Sequence, residues 1–152
     1  MNILEMKEKM QYLNTNLTHN QKKYINYRSF ENFIFHFEKL NDSRKIKVKG
    51  LLNEYFEAID QMNFNFDGKT GLELAIKYLY PLEEIYASDL GFKEDMSIRR
   101  VIVFGVLADS ILFIIGMLKF VYYIPIVTLI LFGRRLFLIK AKREKKVYGI
   151  FY

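Results

Sequence analysis

Between Val101 and Phe132 the chain carries only two formal charges, Asp109 and Lys119. A run this apolar rules out a simple soluble globular reading and calls for an environment other than water on most of its surface. The remaining charge is unevenly divided. Residues 1–98 hold 13 Lys/Arg and 15 Asp/Glu, net −2, whereas residues 99–152 hold 10 Lys/Arg against Asp109 and Glu144, net +8. The +6 of the whole 152-residue chain therefore belongs to its last third.

Residue types narrow the chemistry. With no Cys, disulfides, thiolate metal sites and a Cys nucleophile are excluded, which is compatible with a reducing compartment. Met1 to Asn20 is charged and amphipathic, unlike a cleaved secretory leader. Asn16-Leu-Thr18 and Asn41-Asp-Ser43 match the glycosylation acceptor triplet, a pattern too short to carry weight.

Before the apolar run the periodicity is helical. Ile3, Met6, Met10, Leu13 and Leu17 step by three and four, which stacks them on one helix face. Tyr24, Tyr27, Phe30, Ile34 and Phe37 continue the step beyond a polar break at Thr18 to Asn20, so the two segments read as either two helices or one. Asn41-Asp42-Ser43 stops and restarts a helix, because short polar side chains accept bonds from the orphan amides of a first turn. A third helix runs to about Met62 with Val48, Leu52, Tyr55 and Ile59 inward. After the turn dipeptide Asp67-Gly68, Thr70 and Glu73 fit a capping box that opens a fourth helix. Its stripe is Leu72, Ile76, Leu79 and Tyr86, kinked at Pro81 and stopped at Gly91. Three or four helices without strand alternation predict a helical bundle over 1–95.

Between Ile98 and Lys140 a single helix would be about 60 Å long, roughly twice a bilayer's hydrocarbon thickness. Two spans joined near Met117 to Phe120 resolve that excess, predicting an all-α membrane protein with a transmembrane hairpin over 98–139 and a basic, aromatic tail over 140–152. Arg99 and Arg100 before the first span, and Lys140, Lys142, Arg143, Lys145 and Lys146 after the second, place both termini in the cytoplasm and assign these residues to lipid headgroups. The location that follows is a bacterial inner membrane. Tyr148, Phe151 and Tyr152 are expected to dock on the membrane interface or on a partner.

Asp109 is the candidate functional residue. Gly105, Asp109, Leu112 and Gly116 share one helix face, a small and polar stripe that lets helices approach closely. An antiparallel hairpin brings Asp109 level with Thr128 on one side and Arg134 or Arg135 on the other. An intramembrane acid needs such a partner, and three roles stay open for it: pairing within the hairpin or a homo-oligomer, recognition of another membrane protein, or an ion path.

Other patterns carry less. Gly68-Lys69-Thr70 resembles the end of a phosphate-binding loop, but Asn63 stands where its first glycine belongs. His19 and His36 are too far apart for one helical face, and Glu83-Glu84 and Glu94-Asp95 diverge on a helix, so no metal, cofactor or catalytic residue is expected. Arg44, Lys45, Lys47 and Lys49 form a basic cluster on an acidic bundle, too narrow for a nucleic-acid footprint. The expectation is a non-enzymatic membrane protein that acts by protein–protein contact, either as an accessory or scaffolding subunit or as an immunity protein against a membrane-active toxin. Its expected partners are lipid and another membrane protein or a second copy, with no nucleic acid or small-molecule substrate. The alternative is an oligomeric effector or channel subunit that permeabilises the membrane.

Overall fold

Asn2 and Glu5 cap each other's backbone and open α1, Ile3–Asn16, which buries Met6, Met10 and Leu13. The computed structural model describes residues 1–63, 65–95, 98–114 and 125–149, without the side chains of Ile98, Arg99, Arg100 and Arg135. The chain divides into two compact units, residues 1–94 with 145–152, and residues 95–144.

In the first unit the opening segment is three helices rather than one or two. A Thr18–Gln21 capping box starts α2, His19–Tyr24, and Asn26 then takes a left-handed conformation before α3, Tyr27–His36. Asparagine tolerates that backbone better than other non-glycine residues, so the turn is cheap. A 3-10 turn, Phe37–Lys39, leads to Asn41, which caps α4, Asp42–Gln61, by accepting from the Arg44 amide at 2.9 Å.

The next helix starts differently from expectation. Asp67, not Thr70, is the cap; its box partner is Thr70, and α5 covers Gly68–Leu74. A π-helical stretch, Ala75–Leu79, then joins it to α6, Tyr80–Leu90. Pro81 lacks an amide and crowds the preceding turn, and the wider π turn accommodates it. The extra residue rotates the inward face, so Leu74, Ala75 and Tyr78 are buried while Leu72 and Ile76 are exposed.

The core of this unit is aromatic. Phe30 stacks on Tyr55 with centroids 3.5 Å apart, and Phe33 stacks on Tyr86 at 4.6 Å. Both tyrosines place their hydroxyls on backbone carbonyls, Tyr55 on Ile25 at 2.6 Å and Tyr86 on Phe33 at 2.7 Å. A short parallel pair completes the unit, with β1, Lys93–Glu94, beside β2, Val147–Tyr148. No strand was expected there. Ser29 and the Gly149 backbone exchange two bonds, at 3.1 and 3.0 Å, and the Asn32 amide donates to the Val147 carbonyl at 2.7 Å. These buried side chains do for the returning strand what a neighbouring strand would do.

The second unit is a helix pair, α7, Ile98–Ile114, and α8, Ile126–Arg143. Among the described residues, no helix is long and apolar enough to cross a membrane. The apolar start of α8 ends after Gly133, where Arg134, Arg135, Lys140, Lys142 and Arg143 follow within the same helix. The all-α expectation and the bundle are retained. The transmembrane hairpin over 98–139, the inner-membrane location and the orientation built on it are corrected. The expected turn near Met117 to Phe120 lies outside the described residues.

Candidate functional site

Pro125 precedes α8 and offers no side-chain cap. The first-turn amides of that helix are satisfied from α7 instead. One oxygen of Asp109 accepts from the Val127 amide at 2.9 Å, and the other accepts from the Thr128 amide at 3.0 Å and the Thr128 hydroxyl at 2.7 Å. A carboxylate here meets both the orphan donors and the positive end of the helix dipole. Burial works to raise the Asp109 pKa, but the bonds from Thr128 and Val127 outweigh it and hold the group below the ordinary 3.8. Asp109 is therefore a fixed negative charge at neutral pH.

Gly105, one turn before Asp109, makes this approach possible. A Cβ at that position would lie 2.7 Å from the Thr128 hydroxyl oxygen and 2.9 Å from the Thr128 Cα. The second contact is with backbone, which cannot rotate out of the way. Val101, Gly105 and Asp109, at steps of four, are all buried, so the inner stripe of α7 is small and polar where it meets Thr128. Beside it lies a cavity of about 330 Å³ lined by Val106, Ser110, Phe113 and Pro125 as well as Asp109 and Thr128.

The outer surface has the opposite character. Phe104, Leu107 and Ile111 on α7 are more than half exposed, as are Ile130, Leu136 and Phe137 on α8. Contiguous exposed apolar surface of this extent is unusual on a protein that stands alone in water.

The structure thus unites Asp109, Gly105 and Thr128. Arg134 stands exposed and contributes none of the three bonds to Asp109; the Arg135 side chain and Gly116 lie outside the described residues. Among the residues assigned to lipid headgroups, Lys142 pairs with the buried Asp95 at 2.7 Å, and Lys140 faces Glu144 at 4.0 Å. Arg143 is exposed, Lys145 stands over the Phe35 ring at 4.8 Å, and the Lys146 carbonyl accepts from the Lys93 amide at 3.0 Å. The headgroup roles lose the spanning helices they rested on; the side chains of Arg99 and Arg100 lie outside the described residues.

Tyr148, expected on a partner or a membrane interface, is packed in the core of its own unit, with its ring 6.5 Å from Phe33 and its hydroxyl bonded to Glu83. Phe151 and Tyr152 lie outside the described residues. Ser29 and Asn32 were not anticipated, although their spacing of three on an aromatic helix, followed by His36, marks a polar line on a buried face. Compared with protein families, with curated proteins and with solved structures, the chain has no match.

Proposed function

We propose that the protein works by association rather than chemistry, as an assembly or scaffolding subunit, and that its α7–α8 pair is the associating element. The observation that carries this reading is the outer apolar face of that pair, whose side chains are exposed while its small and polar residues are turned inward. Two helices sharing one seam leave most of their apolar surface in water, and a third layer is needed to cover it.

The occupant is a second copy of the chain. From Val101 to Ile114 and from Ile126 to Gly133, the only formal charge is Asp109, which is engaged internally, so two such faces meet without opposing like charges. A twofold contact also lets one patch serve both partners. Phe104, Leu107 and Ile111 recur at steps of three and four and supply the continuous ridge that such packing uses.

Light scattering on the purified chain tests this. The wild type is expected to give a discrete multimer, and Leu107→Glu with Ile111→Glu to give a monomer with unchanged circular dichroism. A monomeric wild type, a multimer indifferent to both substitutions, or a wild type that enters lipid vesicles instead of self-associating would each overturn the proposal.

A further inference from the structure

Away from the helix pair, α1, α2 and α3 frame two cavities that share Asn14, Tyr27 and Glu31. One, of about 300 Å³, has an apolar floor of Met10, Ile34 and Phe35 with the amide of Gln11 at its side. The other, of about 390 Å³, is lined by His19, Lys22, Lys23 and Arg28. Each is at the lower end of the size range of small-molecule sites, about 300–1,000 Å³.

The charge around them runs against the rest of the unit. Outside the cavities the unit's residues hold 10 Lys/Arg and 13 Asp/Glu, yet the cavities gather Lys22, Lys23 and Arg28 on one side and Lys7 and Lys145 on the other, with Glu31 as their single carboxylate. Lys22 and Lys23 make no ion pair among the described residues. Glu31 is partly committed, because the Tyr27 hydroxyl bonds to it. Burial and the Glu31 charge push Tyr27 up to about 12, so the phenol stays protonated.

Backbone conformation adds an independent sign. Lys145 is one of three non-glycine residues in a left-handed conformation among the described residues. A lysine is less suited to that conformation than an asparagine, and its ammonium stands over the exposed Phe35 ring at the rim of the apolar cavity. The result is a flat aromatic surface and a cation at one end, amides in the middle, and a cluster of cations at the other end.

We infer that this double cavity binds a small organic phosphate, its phosphates held by Lys22, Lys23 and Arg28 and its planar ring set against Phe35 in the apolar half. Ammonium and guanidinium groups recognise phosphate oxygens through charge-assisted bonds, and a ring with polar edges matches the amides of Gln11 and Asn14. The ligand class is that of nucleoside mono- and diphosphates. The site is built from the first unit alone and is independent of the association proposed for the helix pair.

Calorimetry with three probes tests it: ADP, and its two halves as adenosine and pyrophosphate. ADP is expected to bind at least about 10-fold more tightly than either half, a difference of about 1.4 kcal/mol. Lys22→Gln with Lys23→Gln is expected to weaken ADP and pyrophosphate together by about 10-fold, with binding that falls as salt rises. Phe35→Ala is expected to weaken ADP and leave pyrophosphate unchanged, which a merely unfolded variant cannot do. Pyrophosphate binding as tightly as ADP, equal ADP affinity in the wild type and the Lys22/Lys23 variant, or no heat of binding with any of the three probes would overturn the inference.

Discussion

The two units of this chain solve the problem of polar groups in opposite ways. In the first, aromatic rings fill the interior and four buried polar side chains are spent on backbone: Tyr55 on Ile25, Tyr86 on Phe33, and Ser29 and Asn32 on the returning strand. In the second, a glycine, a threonine and a carboxylate meet in the seam of the helix pair, and although Val101 and Leu138 are buried, Phe104, Leu107, Ile111, Ile130, Leu136 and Phe137 are exposed. A unit of several helices can enclose a core, whereas two helices have only one seam. What they place in that seam decides their own geometry, and what they leave outside awaits another surface.

The largest effect that tests this contrast is in the first unit. Phe33 is fully buried and touches Tyr86, Phe92 and Tyr148 through its ring. Phe33→Ala is expected to lower stability by about 3–5 kcal/mol in urea titration, the usual cost of an aromatic cavity. In the monomeric Leu107→Glu, Ile111→Glu background, Phe104→Ala on the outer face of α7 is expected to change unfolding by no more than about 0.5 kcal/mol, as for other exposed positions. Equal losses for the two would remove the distinction between a closed core and an open face.

A smaller effect sharpens the account of the seam. Gly105→Val places methyl groups against the Thr128 backbone, and overpacking of this kind costs about 1–3 kcal/mol. Faster amide exchange at Val127 and Thr128, with the first unit's exchange unchanged, is the expected signature. Ser29→Ala is the counterpart in the bundle. It strands the buried Gly149 amide, for about 1–3 kcal/mol, and speeds exchange in β2 instead.

Much of the bundle was legible because periodicity and caps are local signals. Asn41 caps where its side chain says it should, and Met6, Met10 and Leu13 line the face their spacing marks. The stripe before Pro81 was misread for a physical reason: a π turn adds a residue without leaving a trace in the hydrophobic pattern, so Leu72 and Ile76 moved outward. The β1–β2 pair was invisible because two residues are too few to alternate and their partner lies some fifty residues away in sequence. Helical spacing puts Gly105 and Asp109 on one face, and levels in an antiparallel pair offer Asp109 both Thr128 and the arginines; the bonds it makes are to Val127 and Thr128. The membrane assignment rests on composition over a long window, which does not reveal that α8 turns basic after eight residues; among the described residues no helix is long and apolar enough to cross a membrane.

The smallest effect separates the units by pH. In the first, burial raises Tyr27 to about 12 from 10.0 and raises Tyr55 and Tyr86 as well, so the folded state favours neutral phenols. Stability from these groups is complete below pH 10 and falls as the pH rises from there, because the unfolded chain then ionises first. In the second, Asp109 sits below 3.8 when folded, so its contribution is complete above that value and is lost as the pH falls through the lowered one. Raising the pH should therefore release tyrosinate absorbance together with unfolding of the bundle. Lowering it should first reduce the protection of the Val127 and Thr128 amides relative to free amides at the same pH. Asp109→Asn should abolish the acid arm and leave the alkaline arm in place, since the two units titrate through different groups. An alkaline arm that disappears along with the acid one would mean that the carboxylate supports the bundle as well, and that the two units do not hold themselves together by separate means.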